Sequence, residues 1–141
     1  MTEKKKFYIS VKAAFARDER VLLLRNVRSK WQGKVFWDFP GGRIREGEAI
    51  EKALRRSVLE ETDIRDFTMG RLIGIYLLKT DVEYKTGLML LIYQCETKEE
   101  NIALSDEHDK YGWFTKKEIE TLDRGNGYYV ESALQVLGRK S

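Results

Sequence analysis

The chain has 141 residues, 42% of them apolar and 35% charged, with a net charge of +3. That length suits one domain with a sizeable core, read here as a single unit over residues 1–141, and the balance excludes wholesale disorder. The longest apolar run, Leu88 to Tyr93, is far too short for a bilayer span, so no membrane partner is expected.

The chain begins with basic Lys4, Lys5 and Lys6, and the apolar stretch behind them is broken by Lys12, which is unlike a signal peptide. The three lysines read as a solvated end. No aromatic stacking platform accompanies them, so nucleic acid is not expected as a partner. A single cysteine, Cys95, excludes an internal disulfide and the usual zinc cluster, and it reads as a core residue. A cytoplasmic location is the resulting expectation.

Phe7 to Ala16 is rich in β-formers, and the polar turn Arg17-Asp18-Glu19-Arg20 hands over to the apolar run Val21 to Leu24, which predicts a hairpin. A loop carrying Trp31, Gly33, Phe36 and Trp37 follows. Glu48 to Thr62 is predicted as a helix. Ile50, Ala53, Leu54 and Val58 recur at helical spacing, and Glu46, Glu48 and Glu51 lie where acids suit the dipole. Met69 to Leu78 and Thr86 to Cys95 are predicted to pair as an antiparallel hairpin. Thr115-Lys116-Lys117-Glu118 has the form of a capping box, so a short helix is placed there. Gly125-Asn126-Gly127 reads as a turn, and Tyr129 to Leu137 as a closing helix. Strands and helices mix without strict βαβ alternation, which favours the α+β class.

The chemically informative stretch runs from Phe39-Pro40-Gly41-Gly42 to Ile64. Glu61 falls in the same angular sector as Ile50, Leu54 and Val58, and a carboxylate on an apolar stripe is costly to bury uncompensated. Glu60 beside it adds repulsion, on the order of 4 kcal/mol for two charges about 4 Å apart near a surface. A divalent cation would turn that repulsion into attraction. Hard oxygen donors suit Mg²⁺, with Mn²⁺ as the alternative.

Gly42, Glu48, Arg56, Val58, Glu60, Glu61 and Ile64 stand at the spacing G-x5-E-x7-R-E-U-x-E-E-x-G-U, where U is apolar, and Phe39 to Gly41 supply the lead-in. This stretch resembles the box of the Nudix family. The resemblance implies an α/β/α sandwich around a mixed sheet. It also implies Mg²⁺ held by Glu60 and Glu61 with help from the Gly41 carbonyl and Glu107. Arg56 would orient the acids and meet substrate, and Glu48, with Gly42, would brace the loop and helix. Ser105-Asp106-Glu107-His108 followed by Trp113-Phe114 is similar to the family's later acidic loop and tryptophan-bearing strand, so the likeness extends over most of the chain.

Two positions depart from the pattern. Ser57 stands where the box has a glutamate, one turn before Glu61, and a hydroxyl cannot serve as a base near neutral pH. Asp63 stands where it has a glycine, a milder change because Asp tolerates the left-handed conformation. Glu107 is therefore the candidate general base, and Glu61 and Arg56 complete the expected catalytic set. His108, a lone loop histidine, reads as a bystander. Trp31 is the aromatic best placed to touch a ligand.

The implied reaction is hydrolysis of a nucleoside diphosphate linked to another group. No proline follows Pro40, and no further substrate signature is present, which leaves a nucleoside triphosphate by elimination. Dinucleoside polyphosphates and RNA 5′ ends stay open. The alternative is a nucleotide-binding module that lost its base at Ser57. Oligomeric state is not legible.

Overall fold

The computed structural model describes residues 6–27, 35–81, 86–122 and 127–137. The chain opens with strand β1 (Lys6–Arg17), turns at Asp18 and Glu19, and continues as β2 (Arg20–Asn26). Both turn residues adopt positive φ, 50° and 62°, the conformation that matches a tight turn to strand twist. The predicted hairpin forms, but its pairing is limited to Ala16 with Val21 and Arg17 with Arg20.

The main partner of β1 is β6 (Thr86–Glu96), which runs parallel to it from Lys6 opposite Thr86 to Phe15 opposite Cys95. On its other side, β6 takes β5 (Thr68–Asp81) antiparallel, as predicted. Phe36 and Trp37, expected in a loop, belong instead to the short strand β3 (Phe36–Asp38), which pairs with β2. Its Trp37 ring packs edge-on against Phe114, and that buried contact holds the segment extended. Strand β4 (Gly41–Arg43) pairs with β1, and β7 (His108–Thr115) pairs with β2. The sheet order is β3-β2-β1-β6-β5, with β4 and β7 off that path. One parallel pairing among antiparallel ones makes the sheet mixed.

Helix α1 (Ile50–Thr62) starts two residues later than predicted. Glu48 remains in the preceding loop because its carboxylate accepts the Arg45 backbone N–H and a fork from Arg56. The helix ends at Asp63 in the left-handed region, φ 62° and ψ 17°, with its N–H donating to the Leu59 carbonyl, so aspartate carries the turn expected of glycine. Helix α1 buries Ala53, Leu54 and Val58 against Val11, Ala13 and Phe15 of β1.

The opposite face of the sheet packs Ala14, Leu90 and Ile92 against Val130, Ala133 and Leu134 of α3 (Tyr128–Leu137) and Ile119 of α2 (Lys116–Ile119). The capping box at Thr115 is present in full. Helices on both faces give the α/β/α sandwich. Cys95 is in the core, where burial pushes its thiol up to about 12. Of the predicted Gly125-Asn126-Gly127 turn, only Gly127 lies within the described residues. Among the described residues, no helix is long and apolar enough to cross a membrane.

Candidate active site

The last inward turn of α1 carries Glu61 under the β4 backbone. Its Oε1 accepts the Gly41 N–H at 2.7 Å, and its side chain is 14% exposed. Gly41 also lies tight against β1, which its lack of a side chain permits. Its φ is +146°, and a Cβ there would meet the Val11 carbonyl oxygen at 2.0 Å. The contact shown from Gly41 to the acid is thus its amide. Gly42 lies against Ser57, whose side-chain atoms would be 3.2–3.3 Å from an added Cβ. Ser57 is buried on the cleft wall, with its hydroxyl donating to the Ala53 carbonyl.

Glu60 is exposed on the same cleft, 3.4 Å from Arg56 and 3.8 Å from Arg45. Arg56 donates to both oxygens of Glu48, at 2.8 and 2.9 Å, and to the Arg43 carbonyl at 2.9 Å. This fork pulls Glu48 down to about 2, with the Arg45 N–H adding to it, and raises Arg56 further. Arg56 therefore ties the β4 loop to the helix and sets Glu60 beside it.

The loop before β7 docks on the end of α1. Ala103 N–H donates to the Thr62 carbonyl at 3.0 Å and Ser105 N–H to the Glu61 carbonyl at 3.3 Å, which occupies carbonyls that a helix end leaves open. The Val27 N–H donates to the Glu107 carbonyl and the His108 N–H to that of Ser105. These bonds bring Glu107 to the cleft that Glu60, Glu61, Gly41 and Arg56 line, a space of about 690 Å³. Trp31 lies outside the described residues.

His108, read as a loop bystander, lies next to the site. It is buried at the start of β7, with Nε2 3.7 Å from Glu61 Oε2. Burial, with Lys12 nearby, pulls it down to about 4, so at neutral pH it is uncharged and the approach is not an ion pair. Burial pushes Glu61 up to about 7, against the pull of Lys12 and the Gly41 N–H, while Asp38 and Glu107 add to the rise.

Lys12 and Asp38 were not anticipated. The Lys12 ammonium is 3.2 Å from Asp38, and both side chains are nearly enclosed. Burial opposes the lysine's charge, but Asp38, Glu61 and Glu107 outweigh it and hold its value above the ordinary range. Asp38 also accepts the Phe39 N–H at 2.7 Å. The available signal was the pairing of Ser10 and Lys12 at alternate positions of β1, which reads equally well as a solvated strand face.

A second chamber of about 510 Å³ adjoins the first and shares Ser10, Asn26 and Arg43 with it. Phe36, Leu78, Leu90 and Tyr129 make its walls apolar, and Lys12 and Asp38 lie on its lining. An acidic chamber with arginines at its rim thus opens into an apolar one holding a few polar groups, the usual make-up of a small-molecule site.

Comparison with known proteins gives the family and the fold. The NUDIX domain model matches residues 7–132. The nucleoside triphosphatase NudI of Salmonella typhimurium is 30% identical over 94 residues, covering 62% of this chain and 67% of that protein. The MutT protein from Methanosarcina mazei Go1 superposes with a TM-score of 0.77 at 25% identity, over 95% of this chain and 94% of that one. The E. coli dihydroneopterin triphosphate pyrophosphohydrolase has the same fold, with a TM-score of 0.73 at 20% identity over 96% and 100% of the two chains. The chain belongs to the NUDIX domain family, as a MutT-like hydrolase acting on phosphoric anhydride bonds.

Proposed function

We propose that the chain hydrolyses a nucleoside triphosphate with Mg²⁺. The observation that carries the reading is Glu61, a nearly buried carboxyl that lines one cleft with Glu60 and Glu107. Among the described residues no three acid, histidine or cysteine side chains converge closely enough to hold a metal unaided. An ion held here would take the rest of its shell from water and substrate phosphates, as Mg²⁺ typically does. The donors here are hard oxygens, and Lys12 only partly offsets the burial of Glu61. Glu60 and Glu61 would hold the ion, with Glu107 and the Gly41 carbonyl beside them. When bound, it neutralises phosphate charge and makes water more acidic.

The residues of the chain then divide the work. Arg43 and Arg45 lie on the cleft wall where polyphosphate charge would gather. The Gly41 amide fixes Glu61, and Arg56 fixes Glu48 and Glu60, so Arg56 acts by positioning acids. Its guanidinium is already committed to Glu48, Glu60 and the Arg43 carbonyl. Glu107 takes the proton of the attacking water as its oxygen bonds to phosphorus and the anhydride P–O bond breaks, releasing phosphate or pyrophosphate. The base sits in the apolar chamber. The name nucleoside triphosphatase carried by a relative points the same way.

A panel of nucleoside triphosphates, dinucleoside polyphosphates and capped RNA ends, assayed with Mg²⁺ for phosphate and pyrophosphate, tests the reading. Turnover of a triphosphate supports it. A rise in melting temperature with nucleotide but no product would make the chain a binding module and overturn it.

A further inference from the structure

Asn26 ends β2 between the two chambers and lines both. It pairs with Phe36 on one side and His108 on the other, and the β2–β7 register shifts between Arg25 and Asn26. Such irregularities re-aim side chains beside functional sites. Its Oδ1 is buried and has no hydrogen-bond partner among the described residues. Native folds rarely leave a buried acceptor open, and each case calls for a missing partner. Asn26 lines the cleft, and its carboxamide can turn about χ2, a broad torsion, without breaking a bond at this oxygen.

The position of Asn26 says what the partner is. This step rests on the nucleotide reading above. With phosphates in the acidic chamber and a base among Phe36, Leu78, Leu90 and Tyr129, the junction holds the part of a nucleotide that joins them. That part is the sugar, and its hydroxyls are donors. A base N–H would lie deeper, past the junction, and a phosphate offers only acceptors at neutral pH. We propose that Asn26 is a specificity-determining residue that accepts a hydrogen bond from a sugar hydroxyl of the substrate. Ser10, which is buried, lines the same two chambers. A site built to bond a hydroxyl rejects the analogue lacking it, because its own polar group is then left unpaired.

The test compares kcat/KM for the four ribonucleoside triphosphates with that for their 2′,3′-dideoxy counterparts, in the parent, Asn26→Leu and Asn26→Asp. The parent should favour the hydroxyl-bearing substrate about tenfold or more. Asn26→Leu should bring the ratio to near one, while Asn26→Asp, which keeps an acceptor, should retain discrimination even if its charge slows turnover. The ratio is internal to each protein, so a general loss of activity does not move it. If leucine prevents folding, Asn26→Ala carries the same expectation. Equal rates for both substrates in the parent, or a ratio that survives in Asn26→Leu, would overturn the assignment while leaving nucleotide hydrolysis intact. Failure to bind or cleave any nucleotide would remove the nucleotide reading and this inference together.

Discussion

Replacing Glu61 by glutamine removes a carboxyl that burial holds at about 7, against 4.5 for an exposed glutamate. In metal-free protein the folded chain therefore holds this proton more tightly than the unfolded chain does. The contribution of Glu61 to stability is full below pH 4.5 and is lost as pH rises through 7. The gap corresponds to about 3 kcal/mol once the group is ionised. Glutamine keeps an acceptor for the Gly41 N–H but has no charge to bury. Glu61→Gln should match the parent near pH 4 and exceed it by about 3 kcal/mol at pH 8. His108 works in the opposite sense. Its folded value is about 4 against 6.5, so its contribution is present above pH 6.5 and is lost as pH falls toward 4. The parent then combines two opposed slopes, of which Glu61→Gln leaves that of His108, rising with pH between 4 and 6.5. Urea unfolding in EDTA at a series of pH values reads both. A difference between parent and variant that is the same at pH 4 and pH 8 would refute the burial argument.

Gly41→Ala should destabilise the chain by more than about 3 kcal/mol in the same unfolding assay, since a Cβ would strike the Val11 carbonyl at 2.0 Å and the backbone has no room to give. Glu107→Gln should lower turnover by about a hundredfold or more while substrate binding, measured by titration, holds; an unchanged kcat would take Glu107 out of the reaction. Ser57→Glu should give no gain in turnover. Gly42 lies against the serine, so the longer acid would crowd that wall and add charge to a cleft where Glu107 is the proposed base. A tenfold rise would mean that position 57 is where the base is missing.

The layer architecture and the box were legible because both are local. Leu54, Val58 and Glu61 share one helical sector, so the anomaly of a buried acid could be seen from spacing alone, and the structure buries that acid. The capping box and the β5–β6 hairpin were equally local. What escaped notice depends on pairings far apart in the chain. Lys12 looks like a solvent-facing strand residue until β6 runs parallel beside it and α3 closes the same face. Asp38 reads as loop until Trp37 docks on Phe114. His108 and Asn26 become neighbours only through the β2–β7 register, some eighty residues apart. The start of α1 was misplaced because acids before a helix suit its dipole whether they lie inside it or, as Glu48 does, bind an arginine from the loop.

The central claim is that the buried carboxylate of Glu61 makes this cleft a divalent-metal site. Mn²⁺ titration followed by electron paramagnetic resonance, on the parent and Glu61→Gln at pH 8, tests it most directly. The account predicts a loss of affinity of about tenfold or more in the variant, as expected when one of only a few carboxylate ligands goes. Equal affinity in the two proteins would contradict it.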